Sequence, residues 1–357
     1  LVCLFISLQN RSIEISPLYD SKIKAASLMK QCLQSLKKSR LENSIFIDIE
    51  NDPNETGLVG VPYSLITTDE GDLDAKLTTL DPNFSAVIVD LLFTAGLEKN
   101  DTIAVMLTGS MPGANIALLS ACQVMGIHPI IISSIGASQW GANQVDFTWL
   151  DMEDILIQNK LINSRSVASS IGGRNDMGRL LSPLGRDLIM ENIKNYDLPL
   201  IKENRLADNI KKRTDIYNEY HPIDKYDGVV NIGGGVASLG TSFNYRLIPP
   251  GIVNRSDIVD IDNSSGIEGA FSYFLKKNIT GLHILNIKSI IENYNLPFAP
   301  IPHPKIGEGV LYAKERYNLT IVFLCFLILT GSVAFVGYKS KKQIREHLTK
   351  YEPDSLL

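Results

Sequence analysis

Residues 101–134, DTIAVMLTGSMPGANIALLSACQVMGIHPIIISS, decide the predicted fold. Residues 101–107 form a nearly continuous apolar run, which is typical of a strand covered on both faces. A loop of small residues and a helical pattern over 113–126 follow, and Gly126 is a residue type that commonly ends helices. The next apolar run, HPIIISS, occupies residues 128–134. Strand, helix and strand within about 35 residues predict a βαβ unit with parallel strands and a right-handed crossover.

The same order of features returns at residues 227–240, DGVVNIGGGVASLG, where a strand, a loop of small residues and a helix are predicted. Helices are also predicted over 19–40, which has apolar residues at helical spacing, and over 84–97. A short strand is expected at 44–50 and a long polar helix at 200–220. Two strand–loop–helix units predict a doubly wound α/β fold, in one lobe or two. Its sheet should be mostly parallel and Rossmann-like, with glycine-rich strand-to-helix loops.

The carboxyl-terminal part of the chain predicts a transmembrane helix. Residues 319–337, LTIVFLCFLILTGSVAFVG, contain no charged side chain. As a helix they are about 28 Å long, close to the thickness of the bilayer hydrocarbon. Tyr317 and Tyr338 flank the run as interfacial aromatic residues do. The following tail is basic, so we expect it to stay in the cytoplasm and the main domain to be extracytoplasmic.

Residues 1–8, LVCLFISL, are apolar but too few to span a membrane, and we expect them to end an anchor or signal segment. Residues 295–304, NLPFAPIPHP, contain four prolines and predict a stiff extended arm. The predicted segments are an anchor or signal segment (1–17), an extracytoplasmic α/β domain (18–294), an arm to the membrane (295–318), a transmembrane helix (319–338) and a cytoplasmic tail (339–357).

The composition argues against some classes of function. The chain has 357 residues and a formal net charge of −5, so the chain as a whole lacks the basic character of nucleic-acid-binding proteins. Its cysteines, Cys3, Cys32, Cys122 and Cys325, form no CxxC pair, which gives no zinc or redox signature. Buried free thiols are favoured, and a Cys32–Cys122 disulfide is left open. We expect no cofactor and no metal.

The loop TGSMPGAN, residues 108–115, joins the first predicted strand to its helix. Backbone N–H groups at a helix N-terminus bind carboxylates or phosphates, so Gly109, Ser110, Gly113 and Asn115 are candidate binding residues. The alternative is a plain turn in which Ser110 caps the helix. A nucleophilic Ser110 would need a base within hydrogen-bond reach, and the spacing of the glycines does not match a nucleophile elbow.

The second glycine loop, NIGGGVASLG, occupies residues 231–240. Its candidate binding residues are Gly233, Gly234, Gly235 and Ser238. The glycine spacing differs from the GxGxxG of dinucleotide-binding loops, and no Walker lysine follows. We therefore expect a loop that recognises an anion or a polymer backbone, with Ser238 as a cap.

Residues 133–143, SSIGASQWGAN, form a third candidate loop. Its candidate binding residues are Ser134, Ser138, Trp140 and Asn143. Asp151 and Glu153 follow at a predicted helix start, where negative charge is favoured. The alternative, a metal site or general base, makes them weak catalytic candidates together with Ser110.

Residues 165–187, RSVASSIGGRNDMGRLLSPLGRD, form the fourth candidate loop. It carries Arg165, Arg174, Arg179 and Arg186 among glycines and serines. Guanidinium groups bind carboxylates in bidentate geometry, so this loop predicts an anionic ligand, with Arg174 and Asp176 as candidate binding residues. A solvated surface loop is the alternative.

The chain contains, in order, ETGLVGVPYSLITTDEGDLDAKLTTLDPNF, LTGSMPGAN, SSIGASQWGAN, TWLDMEDIL, SSIGGRNDMGR and VNIGGGVASLG. In this order and combination these stretches resemble the poly-gamma-glutamate system protein family, over residues 18–310 and with the terminal anchor. The resemblance implies a place in the bacterial cytoplasmic membrane, in the machinery that makes and exports poly-γ-glutamate. The implied partners are the ATP-dependent ligase and its membrane partner. It implies no catalytic residue.

Three functions are consistent with these features. The leading hypothesis is a membrane-anchored subunit of a poly-γ-glutamate synthesis and export complex, whose extracytoplasmic domain binds or guides the anionic polymer without being primarily a catalyst. The second is a hydrolase or transferase that acts on the polymer through Ser110 or the Asp151–Glu153 pair. The third, a phosphosugar-binding isomerase-like domain, rests on analogy with the strand–Thr-Gly-Ser–helix pattern.

Overall fold

The computed structural model describes residues 2–241, 244, 247–258 and 268–350. The chain divides into a terminal unit, Leu1–Ser16 with Ala313–Leu357, and a sheet unit, Pro17–Tyr312. In chain order the elements are α1 (Val2–Gln9), β1 (Arg11–Ile15), α2 (Tyr19–Glu42), α3 (Leu73–Thr79), α4 (Asn83–Thr94), β2 (Thr102–Thr108), α5 (Pro112–Met125), β3 (His128–Ser134), α6 (Trp149–Gln158), β4 (Ser166–Ser170), α7 (Pro183–Asn195), β5 (Leu200–Ile201), α8 (Leu206–Tyr220), β6 (Gly228–Ile232), α9 (Val236–Leu239), β7 (Gly251–Val253), α10 (Ala270–Lys276), β8 (Gly281–Ile284), α11 (Ile287–Glu292), β9 (Ala313–Tyr317) and α12 (Leu319–Lys350).

The sheet unit contains a seven-stranded sheet in the order β5-β4-β3-β2-β6-β8-β7. Its neighbouring strands pair in parallel, except β7, which runs antiparallel to β8. From β2 the chain adds β3, β4 and β5 on one side, and then crosses to place β6 on the other side of β2. The predicted α/β fold with a mostly parallel sheet is confirmed, and its direction of winding reverses between β2 and β6.

The central strand β2 shows why its sequence is almost continuously apolar. Ile103, Val105 and Leu107 belong to one core cluster, which α2, α4, α5 and α6 help to form. Ala104 and Met106 belong to a second cluster, with α8 and α10. Successive side chains of a strand point to opposite faces, so a strand covered by helices on both faces needs apolar residues at every position.

Local sequence signals set the ends of α5, and its end before Gly126 is confirmed. Pro112 is at the first helical position, where its missing N–H costs no hydrogen bond. Gly126 adopts φ 73° and its N–H donates to the carbonyl of Cys122, a typical left-handed helix end. The predicted helices at 19–40 and 84–97 correspond to α2 and α4.

Two predicted elements differ from the structure. Residues 44–50 are irregular, and the predicted strand there is wrong. The Arg40 guanidinium donates to the carbonyls of Phe46 (2.9 Å) and Gly57 (3.0 Å), so an arginine binds this loop in place of a strand ladder. The long helix expected at 200–220 is instead the short strand β5 followed by α8.

The proline-containing segment 295–304 packs on the sheet unit and does not extend away from it as an arm. The backbone N–H of Ala299 donates to Thr78 Oγ1 at 2.8 Å, and Asn54 Nδ2 donates to the Pro300 carbonyl at 2.8 Å. Leu296 and Phe298 pack against the larger core cluster. Apolar residues between the prolines explain the difference, because burying them favours a docked segment.

The terminal unit pairs the two ends of the chain. Strands β1 and β9 form an antiparallel pair in which Arg11 lies opposite Tyr317, and Arg11 also forms a 2.8 Å ion pair with Glu315. Among the described residues, one helix is long and apolar enough to cross a membrane, the 30-residue stretch Leu319–Leu348 of α12. All four cysteines are free, and Cys32 and Cys122 are buried thiols, as favoured from the sequence.

Candidate functional site

A cleft of about 1360 Å³ lies at the carboxyl ends of the parallel strands of the sheet unit. Loops that follow β2, β3, β4, β6 and β8 form its walls, together with residues from the segment before α3. This position coincides with the reversal of winding between β2 and β6. In open α/β sheets, ligands bind in the crevice outside the carboxyl ends of the strands at such a point. The cleft is therefore the leading candidate for a binding site.

The cleft brings together predicted residues from all four candidate loops, which are far apart in sequence. The predicted binding residues that line it are Ser110, Ser134, Ser138, Arg174, Asp176, Gly233, Gly234 and Gly235. Parallel strands place their carboxyl ends at one edge of the sheet, so loops that follow different strands become neighbours there.

Gly109 and Gly113, two predicted binding residues, do not line the cleft. Close packing of the backbone explains why glycine is present at these positions. A Cβ atom at Gly113 would lie 2.6 Å from the carbonyl oxygen of Thr79. A Cβ atom at Gly109 would lie 2.6 Å from the carbonyl oxygen of Ile135. Glycine at these positions permits close approach of two backbones, which is the structural alternative to a binding role.

Asn115, Asn143, Trp140 and Ser238 also lie outside the cleft lining. Asn115 Nδ2 donates to the Thr108 carbonyl at 2.9 Å. Asn143 is fully buried. Its Nδ2 donates to the Val61 carbonyl at 2.7 Å, and its Oδ1 accepts the Val61 N–H at 2.9 Å. Trp140 packs against the core and Ser238 is buried in α9. These polar and aromatic side chains stabilise the loops themselves. From the sequence alone this structural role cannot be distinguished from ligand binding.

A buried lysine joins two of the serines in the cleft. The side chain of Lys76, on α3, is almost fully buried, although the residue contributes to the cleft wall. Its Nζ donates to Ser138 Oγ at 2.9 Å and to the backbone carbonyl of Ser110. The Ser138 N–H donates to Ser110 Oγ at 2.9 Å. Lys76, Ser110 and Ser138 thus form one hydrogen-bonded group, which we call the Lys–Ser cluster.

Burial changes the chemistry of the lysine. Removal from water lowers the pKa of Lys76 to about 7, and the negative charge of Asp72 opposes this effect. Asp72 caps α3 by accepting the N–H of Ala75 at 3.2 Å. A lysine with such a pKa is partly neutral near pH 7, when its amine can accept a proton. Lys76 was not predicted as a site residue, because lysine side chains are usually exposed.

Asp176 is held in a buried ion pair. Arg213 of α8 is 1% exposed, and its Nη2 lies 2.9 Å from Asp176 Oδ2. The same nitrogen donates to Ser134 Oγ at 2.9 Å and to Ser170 Oγ at 2.5 Å. This network ties the ends of β3 and β4 to α8. The predicted residues Ser134 and Asp176 are therefore at the cleft, but an arginine outside the predicted loop already binds them.

His283 lines another part of the cleft and was not predicted. Asn231 Nδ2 donates to the Gly233 carbonyl at 2.9 Å and lies 3.0 Å from His283 Nδ1. Because the amide nitrogen can only donate, Nδ1 is the acceptor and the ring proton is assigned to Nε2. Burial lowers the pKa of His283 to about 4, so the ring is neutral at pH 7. His283 is near the carboxyl end of β8, and no glycine- or serine-rich motif follows this strand to mark it as a site.

Asp151 and Glu153 are outside the cleft lining, so the structure does not support them as its catalytic pair. Asp151 forms a capping box with Thr148 at the start of α6 and accepts the Tyr196 hydroxyl at 2.6 Å. This confirms the helix-start interpretation. Glu153 is buried and accepts the Ser166 hydroxyl at 2.8 Å, and burial raises the pKa of its carboxyl to about 7.

The arginines of the fourth loop do not act together. Arg174 is exposed and lines the cleft. Arg165 forms an ion pair with Asp154 on α6, and Arg186 donates to the Leu181 carbonyl at 2.6 Å. Arg179 is exposed outside the cleft lining. Of the four, Arg174 alone is in position to contact a ligand in the cleft.

In the described part of the chain, no group of three or more histidine, cysteine, aspartate or glutamate side chains is arranged to hold a metal ion. Searches of family models, curated proteins and solved structures found no match to this chain.

Proposed function

We propose that this protein is a membrane-anchored subunit of a poly-γ-glutamate synthesis and export complex, and that its sheet unit binds or guides the anionic polymer. The sequence motifs suggest the system. The observation that carries the proposal is that residues from all four glycine- and serine-rich motifs meet in one cleft at the reversal point of the sheet. A shared ligand explains why separate loops with these compositions converge there.

Two exposed basic side chains of the cleft can bind the carboxylates of a polymer. Arg174 and Lys288 are exposed on its walls and can bind carboxylates, the arginine in bidentate geometry. Asp69, Glu70 and Asp72 also line the cleft, so it is not uniformly cationic. A chain that alternates carboxylates with amide groups suits walls that offer both charges and backbone groups.

The proposal includes a Rossmann-like sheet and a defined orientation in the membrane. The strand order around β2 supports the first. The basic residues after the apolar run of α12 support a cytoplasmic tail and an extracytoplasmic sheet unit. Protease added to intact spheroplasts should then cleave the sheet unit, and protease added to inverted vesicles should reach only the tail. The opposite pattern would refute the orientation.

Binding is tested with the full chain in lipid nanodiscs and fluorescently labelled poly-γ-glutamate. Arg174→Ala should weaken binding about 10- to 100-fold, because a charge-assisted hydrogen bond is worth about 1.5–3 kcal/mol. Lys212→Ala is the matched control, since Lys212 is exposed on α8 and is not part of the cleft lining. Binding should also weaken with salt. Equal affinity of the Arg174 variant and wild type would contradict the proposal, as would competition by a phosphosugar alone.

Membership in the complex is tested by co-purification. The ATP-dependent ligase and its membrane partner should be retained with the full chain in mild detergent. Recovery of the chain without either subunit, under conditions that keep those two subunits together, would contradict this part of the proposal.

A further inference from the structure

We propose that Ser138 and Lys76 are a nucleophile and its general base, and that the cleft transfers acyl groups from an amide or ester. The inference rests on the proposed function only for the class of substrate, a carboxylate-bearing polyamide. It adds an activity to a cleft that the proposed function treats as a binding site.

Geometry supports this assignment. Lys76 Nζ lies 2.9 Å from Ser138 Oγ, within the range of a direct proton transfer. The backbone carbonyl of Ser110 accepts a second N–H from the same nitrogen. A neutral amine has two N–H bonds and one lone pair, so binding one N–H at the carbonyl leaves the lone pair for the Ser138 hydroxyl. The lysine side chain is 3% exposed, whereas the serine lines the open cleft.

The surrounding loops hold the two side chains in place. Lys76 is on α3, whose start Asp72 caps. Ser110 Oγ accepts the N–H of Ser138, so Ser110 is a positioning residue for the loop that carries the nucleophile. A Cβ atom at Gly141 would lie 2.8 Å from the Ser110 carbonyl oxygen, which shows how closely the two loops approach. The Ser138 backbone is thus held against the Ser110 loop, and its hydroxyl lies 2.9 Å from the lysine amine.

The reaction that these groups permit has two steps. Ser138 Oγ bonds to the carbonyl carbon of the substrate as Lys76 takes the hydroxyl proton. The lysine ammonium returns that proton to the leaving nitrogen as the carbon–nitrogen bond breaks, which leaves an ester on Ser138. Water then attacks the ester and gives a proton to Lys76, which returns it to Ser138 Oγ as the carboxylic acid leaves. A second amine in place of water would give transfer.

The partly neutral state of Lys76 near pH 7 makes proton acceptance feasible without a histidine. Asp72 is the carboxylate that opposes the lowered pKa. The other ionisable side chains that line the cleft are Asp69, Glu70, Arg174, Asp176, His283 and Lys288. Among these, Asp176 is paired with Arg213 and His283 is neutral at pH 7. The lysine therefore dominates the expected pH dependence of serine reactivity above pH 6.

The test uses the full chain in nanodiscs and a fluorophosphonate probe, which forms an oxygen–phosphorus bond with an activated serine and releases fluoride. Peptide mass spectrometry should find the label on Ser138, and Ser138→Ala should lose it. Lys76→Met should slow labelling by about 10²–10⁴, the usual range for removal of a general base. The wild-type rate should rise with pH through about 7, and the Lys76→Met rate should not.

Matched controls are Lys212→Met and Ser256→Ala, which change exposed residues outside the cleft lining and should label at the wild-type rate. Lys76→Gln is a second variant, and tryptophan fluorescence, to which the buried Trp149 contributes, shows that each variant is folded. Absence of label on Ser138 in folded wild-type protein at pH 9 would overturn the inference. Labelling of both folded Lys76 variants at the wild-type rate would also overturn it.

The two proposals fail in different ways. Polymer binding with no labelling of Ser138 would leave the proposed function intact and remove the acyl-transfer site. Labelling that depends on Lys76, without any polymer binding, would keep the nucleophile–base pair and remove the proposed polymer ligand.

Discussion

Lys76→Met should change the pH dependence of stability in a direction and by an amount that the structure predicts. Burial lowers the pKa of Lys76 from 10.5 to about 7 in the folded protein. Between these values the unfolded chain is protonated at this lysine and the folded chain is not. The folded wild type therefore gains stability as pH rises through the window. Below pH 7 the full cost of burying the lysine remains.

The magnitude follows from the same two values. Each pKa unit corresponds to about 1.36 kcal/mol, so the contribution of Lys76 should improve by roughly 3 kcal/mol between pH 7 and pH 9.5. Methionine does not titrate, and its unbranched chain has a similar length. The free energy of unfolding of Lys76→Met minus that of wild type should therefore fall by this amount. Tyrosines and cysteines titrate in both proteins and should largely cancel in the difference.

Denaturant unfolding of the full chain, followed by tryptophan fluorescence, measures this quantity. Trp140 and Trp149 are the two tryptophans of the chain, and both are in the sheet unit. Lys212→Met, at an exposed position, should show no such trend against wild type. A difference between Lys76→Met and wild type that stays within about 1 kcal/mol from pH 7 to 9.5 would refute the reasoning. Lys76 would then keep its ordinary pKa and could not act as a neutral base near pH 7.

The remaining predictions concern stability and use the same unfolding assay. Gly113→Ala should destabilise by about 1–3 kcal/mol, because its Cβ would overlap a backbone carbonyl of α3, whereas Gly234→Ala, with no atom near its Cβ, should cost less than about 1 kcal/mol. Arg213→Met should destabilise by about 3–5 kcal/mol, because it leaves Asp176 buried without its partner, and an unchanged midpoint would show that the ion pair is not formed. Glu153→Gln should gain stability relative to wild type as pH rises from 4.5 to about 7, since the raised pKa of the carboxyl penalises its ionised form; a constant difference over that range would contradict the assignment.

The agreement between sequence and fold was best where the signal was local. The residues of β2 are apolar on both faces and predict a covered strand, and Gly126 predicts the end of α5. Residues 44–50 predict a short strand, but the segment is irregular. The Phe46 carbonyl is instead bound by Arg40, near the end of the preceding helix α2. No feature of residues 44–50 alone predicts that contact.

The sequence likewise predicts some residues of the candidate site and not others. Glycines and serines after strands predicted that loops form a binding edge, and Ser110, Ser138 and Arg174 do line the cleft. The sequence could not distinguish these from Asn143, whose amide binds backbone groups of a neighbouring loop. Lys76 was missed for a related reason, since burial of its amine depends on loops that are distant in sequence.

The local sequence pattern was therefore sufficient to predict the α/β class, the parallel strands and the apolar helix at the carboxyl end. The reason is that the periodicity of a strand or a helix is contained within one segment of sequence. Solvent exposure and long-range pairing required the folded chain. Lys76 meets Ser138 only when the sheet brings two loops together, and it is the loss of water around its amine that lowers the pKa. Chemistry at the cleft thus depends on tertiary packing, since reactivity is a property of an environment and not of a residue type.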